Sequence, residues 1–232
     1  MSLSSKPPAT VDERYYRDAG SIAFVRRISQ VARRRVHDLF MHKMQPTQRD
    51  RILDVGTSDD TGIESNMLEQ RYPHRENLTC ASLSDGRSIL AAYPGVRHVR
   101  IIAGAPLPFA DNAFDVVYCN AVLEHVGSPL RQREFLAELC RVAPRRFVAV
   151  PNRAFPIESH TCLPLVHWLP QGWFRRLLRG TRYDLWSYEE NLNYVSPAAL
   201  LRLWPAGEAK PAVVRVGLGL GLWKSNLVVY QV

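Results

Sequence analysis

Between residues 51 and 150 short apolar runs alternate with helical stretches, and this rhythm limits the chain to very few architectures. Runs at 51–55, 78–83, 96–102, 114–119 and 147–150 are four to seven residues long and mostly apolar. Uninterrupted runs of this kind suit strands of a parallel sheet that is covered on both faces. Helical periodicity fills 63–71, 88–93 and 129–142, the last with Phe135, Leu136, Leu139 and Val142 on one face. Strands separated by helices imply right-handed βαβ crossovers, and so a doubly wound, Rossmann-like α/β sheet. The rhythm breaks after Pro151. It returns at 212–216 and 226–230, joined through Gly217, Gly219 and Gly221, which reads as a closing antiparallel pair.

Ahead of the sheet, residues 11–44 are helical in pattern. Ile22, Val25, Ile28, Val31, Ala32, Val36, Leu39 and Phe40 recur at three- and four-residue steps with arginines largely between them, and Pro46 ends the run. Such a helix covers one edge of a domain, with a basic amphipathic helix on a membrane surface as the alternative. The expected division is therefore a helical extension over 1–46 and one domain over 47–232, with 152–193 as a lid or cap.

At 232 residues the chain is long enough for one sizeable core. No stretch is long and apolar enough to span a bilayer, and residues 1–10 have no apolar core like that of a secretory signal, so a cytoplasmic location is expected. Cys80, Cys119, Cys140 and Cys162 lie far apart with no paired spacing; neither a disulfide frame nor a zinc site is suggested, and buried small side chains are expected. The net charge of +8 suits an anionic partner or surface but selects none. There is no aromatic RNA-binding signature and no separate basic module, so nucleic acid is not the expected partner.

In an open α/β sheet, ligands bind beyond the carboxyl ends of the strands. The first strand runs directly into Asp54-Val55-Gly56-Thr57-Ser58-Asp59-Asp60-Thr61-Gly62. Gly56 lets the backbone turn sharply and approach a ligand, and a helix N-terminus beyond it supplies free N–H groups. Three later segments add specificity. Leu107-Pro108-Phe109 is followed by Phe114-Asp115 and then by Leu123-Glu124-His125, and 134–144 continues as a helix ending at Ala143-Pro144.

Together these segments resemble the class I S-adenosylmethionine-dependent methyltransferases, in the branch with an LPF…FD…LEH pattern, from about residue 50 to residue 152. The resemblance implies a seven-stranded sheet whose last strand is antiparallel, S-adenosylmethionine as cofactor, and a methyltransferase activity. It implies that Asp54, Gly56, Thr57 and Ser58 surround the methionine part. Ser84 or Asp85 would face the ribose hydroxyls, Asp85 being favoured because a short carboxylate accepts two hydroxyl protons well. Gly104, Ala105 and Leu107 would border the adenine, and Asn120 would lie under the sulfonium. The chain departs from the pattern where Ser58 and Asp60 replace glycines, and where Ala103 replaces a frequent acid. A methyltransferase-fold binding or partner module with weak or lost cofactor binding is the alternative from another class, and an RNA methyltransferase ranks below it.

Residues 152–193 are too long for a plain connection. They also resemble a methyltransferase subgroup through Asn152-Arg153-Ala154-Phe155-Pro156-Ile157-Glu158-Ser159-His160-Thr161 and His167-Trp168-Leu169-Pro170. Following the fifth strand, this segment should begin beside the transferred methyl group. His125, Glu158 and His160 are the candidates for orienting or deprotonating an acceptor hydroxyl. No metal-ligand spacing stands out among them. Trp168, Trp173, Phe174 and Trp186, with Arg175, Arg176, Arg179 and Arg182, suit an acceptor lid, a peripheral membrane contact, or a cap whose aromatics pack on the sheet. The expected acceptor is a small molecule or a glycan-type molecule.

Overall fold

The computed structural model describes residues 23–62 and 65–232. Helix α1 (Ala23–Met44) leads into β1 (Ile52–Val55), α2 (Met67–Arg71), β2 (Leu78–Ser82), α3 (Arg87–Ala92) and β3 (Arg97–Arg100). Then follow β4 (Val116–Asn120), α4 (Pro129–Val142), β5 (Arg145–Pro151), α5 (Gln171–Leu178), α6 (Pro197–Leu203), β6 (Ala212–Val216) and β7 (Asn226–Gln231). The part of the expected first helix before residue 23 lies outside the described residues.

The strands form one seven-stranded sheet in the order β3-β2-β1-β4-β5-β7-β6. The first five are mutually parallel, and β7 runs antiparallel to both β5 and β6. The strand order reverses between β1 and β4, which places the cleft of a doubly wound sheet above the tips of those two strands. This is the Rossmann-like sheet expected from the sequence, with its last strand antiparallel.

Both faces of the sheet are buried, and side-chain alternation along each strand divides the core in two. Leu53, Val55, Val117, Cys119, Val148 and Val150 face α4 and α6, meeting Leu136, Leu139, Leu200 and Leu203. Ile52, Val116, Tyr118, Phe147 and Ala149 face the other way, against Val36, Phe40 and Met44 of α1, Leu68 and Ile89. Phe40 meets the Tyr118 and Phe147 rings edge-on at 5.0 and 5.4 Å. Helix α1 is thus part of the main core and not an appendage to it. Burying Phe40 alone is worth about 2–3 kcal/mol.

Two helices begin in the same way. Ser128 caps α4 by accepting from the Arg131 N–H, Ser196 caps α6 by accepting from the Ala199 N–H, and a proline follows each serine. The hydroxyl satisfies a free N–H of the first turn, and proline loses nothing there because its missing N–H would have had no partner. Residues 152–193, called the cap below, carry a small core of their own, made by Phe174, Leu178, Leu185, Trp186 and Leu192. Cys80, Cys119 and Cys140 are buried, Cys162 is half-buried, and none of the four is in a disulfide.

Candidate active site

Gly56 follows β1 at φ +95°, and a Cβ placed there would stand 2.1 Å from Cγ2 of Val122 beyond the tip of β4. Only glycine allows this crossing. Ser58 and Asp60 take ordinary negative φ, so the loop needs no further glycine at those positions. Side chains hold its shape instead. Asn66 accepts from the Ser58 N–H at 2.9 Å and donates to the Ser58 carbonyl at 2.8 Å. Asp60 accepts from the Gly62 N–H and from the Ser65 hydroxyl. Thr57 donates back to the Asp54 carbonyl at 3.4 Å.

Asp54 is buried beneath this loop, on the sheet face that carries α2. Its carboxyl shares that space with Glu69, itself fully buried and accepting from the Cys80 thiol. Burial first, and then the Glu69 charge, push Asp54 well above the usual carboxylate range; burial raises Glu69 as well. Two carboxyls so close together in low dielectric keep a proton between them.

At the tip of β2, Ser84 donates to Asp59 at 2.8 Å and so ties the glycine loop to the second strand. Asp85 is exposed and pairs with Arg87 at 2.9 Å. The segment holding Gly104, Ala105 and Leu107 is fastened to α4: Arg131 donates to the Gly104 carbonyl, and Glu138 accepts from the Leu107 N–H at 2.8 Å. Arg141 grips both Glu138 oxygens, at 2.9 and 2.8 Å, and the Leu107 carbonyl at 3.0 Å. Asn120 ends β4 half-buried, and Ala121 behind it sits at φ +59°, a costly conformation for a non-glycine residue. These parts suit S-adenosylmethionine: Gly56 gives the close backbone approach, and Asp59 and Asp85 offer carboxylates to hydroxyls and to a cationic group.

Beyond Val122 the chain turns through Leu123–His125, which places Glu124 and His125 directly after the residue that touches Gly56. His125 lies 35 residues before His160 in sequence, yet the two Nε2 atoms are 3.3 Å apart. Residues 157–164 form a tight loop closed by the Ile157–Pro164 bridge and wrapped around the Glu158 carboxylate. Glu158 accepts from the His160 and Thr161 backbone N–H groups, from the Tyr194 hydroxyl, and from Nδ1 of the His160 ring at 2.9 Å. Burial alone would raise Glu158; the His160 ring and these donors bring it down to about 2, so it is an anion. The Trp186 ring covers the pair, 4.7 Å from His160 and 5.9 Å from His125. The cap docks here through its own backbone: the Asn193 N–H donates to the Glu124 carbonyl at 2.7 Å, and the Asn191 carbonyl meets Nδ1 of His125 at 2.6 Å.

His125, Glu158 and His160 are thus brought together at the tip of β4, whereas Ser84, Asp85, Gly104 and Leu107 line more distant strand tips. The sequence reading missed Glu124 as a site residue. The signal was present, since it lies beside His125 within the LEH segment, but only the fold shows that it is fully buried with neither oxygen hydrogen-bonded. The aromatic residues of 152–193 divide in two. Phe174 and Trp186 belong to the cap core, while Trp168 and Trp173 are exposed, Trp173 by 70%. Of the arginines, Arg175 reaches Glu189 at 3.8 Å and Arg182 lies over the Tyr183 ring at 4.6 Å. Arg153, His167, Gln171 and Tyr194 line a pocket in the cap with Leu169, Phe174 and Leu192. Among the described residues no helix is long and apolar enough to cross a membrane.

Residues 53–145 match the family described as a methyltransferase domain. A search of curated proteins returns no match. Among solved structures, an S-adenosylmethionine-dependent methyltransferase from Thermotoga maritima is 17% identical, with a TM-score of 0.59 over 95% of this chain and 96% of its own. Magnesium protoporphyrin IX methyltransferase from Synechocystis, holding S-adenosylhomocysteine, is 15% identical with a TM-score of 0.58 over 96% and 94%. The N-methyltransferase NodS from Bradyrhizobium japonicum, also with S-adenosylhomocysteine, is 12% identical with a TM-score of 0.57 over 96% and 97%. The matched segment contains the glycine loop, the β2 and β4 tips and the LPF, FD and LEH motifs, and the sheet around it has the same fold as these enzymes. Residues 53–145 are therefore similar to a methyltransferase domain, set in a sheet with the fold of S-adenosylmethionine-dependent methyltransferases.

Proposed function

We propose that the chain transfers a methyl group to a hydroxyl of a small-molecule or glycan-type acceptor held between the β4 tip and the 152–193 cap. The cofactor supplies a methyl group already activated on a sulfonium, so the protein's work is alignment and care of the acceptor proton. Asp54, Gly56, Thr57 and Ser58 are assigned to the methionine side, Ser84 and Asp85 to the ribose, Gly104, Ala105 and Leu107 to the adenine, and Asn120 to the sulfonium. Glu158 is a positioning residue that holds Nδ1 of His160, leaving Nε2 to face His125 and the acceptor hydroxyl. The observation that carries this reading is the meeting of His125 and His160 at 3.3 Å beside the strand tip that packs on the Gly56 loop.

Calorimetry with S-adenosylhomocysteine, followed by turnover on a panel of hydroxyl acceptors, tests the proposal. His160→Ala is expected to bind the nucleoside as the wild type does and to lose about 100-fold or more in turnover. Unchanged turnover would remove His160 from the mechanism. Failure of the wild type to bind the nucleoside at millimolar concentration would favour a non-catalytic partner module.

A further inference from the structure

The tautomers of the two histidines follow from their partners. The Asn191 carbonyl can only accept, so Nδ1 of His125 carries the proton; the Glu158 carboxylate can only accept, so Nδ1 of His160 carries one too. In neutral rings both Nε2 atoms are then unprotonated, and they stand 3.3 Å apart. Glu124 stands beside them with Oε1 3.9 Å from Nε2 of His125, fully buried, and neither of its oxygens has a hydrogen-bond partner. One ligand atom from each of the three residues lies within 4.8 Å of the other two. Three electron-pair donors converge here, and a buried carboxylate without a hydrogen bond is costly.

We infer that Glu124, His125 and His160 bind a divalent transition-metal ion of the zinc class. Two nitrogens bound to one tetrahedral ion at about 2.0–2.1 Å stand about 3.3–3.4 Å apart, which is the separation found here. A small movement of the Glu124 carboxylate completes the third bond. Two imidazoles and a carboxylate are the ligand set of an open zinc site, with a fourth position left for an oxygen. The outer contacts are also those of a metal centre, since each ligating ring donates its other N–H to a carbonyl or carboxylate. Sequence spacing concealed the site because one ligand comes from the turn after β4 and another from the cap. The inference rests on the methyltransferase reading for its purpose: the ion would polarise the acceptor hydroxyl, and the rings would serve as its ligands. The competing arrangement is a proton shared between the two rings.

The test strips the 232-residue chain with a chelator and titrates it with Co2+ alone, following visible absorption, with Zn2+ as competitor. Saturation at one equivalent is expected, with displacement by Zn2+. His125→Ala, His160→Ala and Glu124→Gln should each weaken Co2+ binding about 100-fold or more. If these buried substitutions prevent folding, 15N imidazole resonances of the wild type decide, because Zn2+ should shift both Nε2 signals. No Co2+ or Zn2+ binding at millimolar concentration, unmoved imidazole signals, or three folded variants that bind as well as wild type would each overturn the inference. S-adenosylhomocysteine binding, measured on stripped protein, separates the two levels. Nucleoside binding without metal binding overturns the metal site alone, and metal binding without nucleoside binding overturns the methyltransferase reading while leaving the site.

Discussion

At the scale of single residues, two positions under the cofactor loop can be tested by opposite means. Gly56→Ala introduces a Cβ 2.1 Å from Val122 at φ +95°. Relief requires the Val122 side chain to shift while the backbone holds a φ strained for alanine, at an expected cost of about 2–3 kcal/mol, with loss of S-adenosylhomocysteine binding. Thermal melts and calorimetry on the same preparation check both; an unchanged variant would mean that the loop is not closed against β4. Asp54→Asn should do the reverse for stability at neutral pH. A carboxyl whose folded pKa is raised holds its proton better in the native state, so its contribution is complete below the ordinary value of 3.8 and is lost as pH climbs above it. Replacing Asp54 by an amide removes that loss. Melting temperature against pH should therefore fall less steeply above pH 3.8 in the variant, and parallel profiles would refute the shared proton.

At the scale of elements, much of the sheet was legible because alternation and length are local properties of the sequence. The helix over Pro129–Val142 and the strand over Ala212–Val216 match the sequence reading residue for residue, and the other strands shift by a few residues at their ends. Helix α6 was missed. Its signal was present, since Ser196-Pro197 is the same cap-and-proline start as Ser128-Pro129. The cluster around His125 and His160 was legible as a set of residue types, whereas the Glu124 contribution was not, because burial without a partner is a property of the assembled fold. The loss of family glycines at 58 and 60 looked adverse in the sequence, yet neither position needs positive φ and Asn66 and Ser65 supply the support. Glu138 gives this scale its prediction. Arg141 holds its carboxyl below the usual range, so its contribution is present above the ordinary value near 4.5 and is lost as pH falls. Glu138→Gln should cost about 1–2 kcal/mol at pH 7 and flatten the acid side of the stability profile. By loosening residues 104–107 it should also raise the Kd for S-adenosylhomocysteine about three- to tenfold. An unaffected Kd would detach this loop from the nucleoside site.

At the scale of the whole molecule, the sheet and the cap are held unequally. The sheet carries one core on each face, against α1 on one side and α4 and α6 on the other, and its strands are paired on both sides except at β3 and β6. The cap core is a handful of side chains around Phe174 and Trp186, and the cap's hold on the sheet includes polar contacts at Glu124, His125 and Gly127. Hydrogen bonds of this kind contribute about 1 kcal/mol each, far less than the buried area that fixes the strands. The cap should therefore open without the sheet, which is the property an acceptor site needs for entry and release. Hydrogen exchange should find the amides of α5 exchanging at least about tenfold faster than those of β4 and β5, a gap of about 1.4 kcal/mol. Because the docking contacts run through His125 and Asn191, His125→Ala should widen the gap by speeding the cap and leaving β5 unchanged. Equal protection of α5 and β5 would mean that cap and sheet open as one unit, and acceptor entry would then require a route that leaves the cap in place.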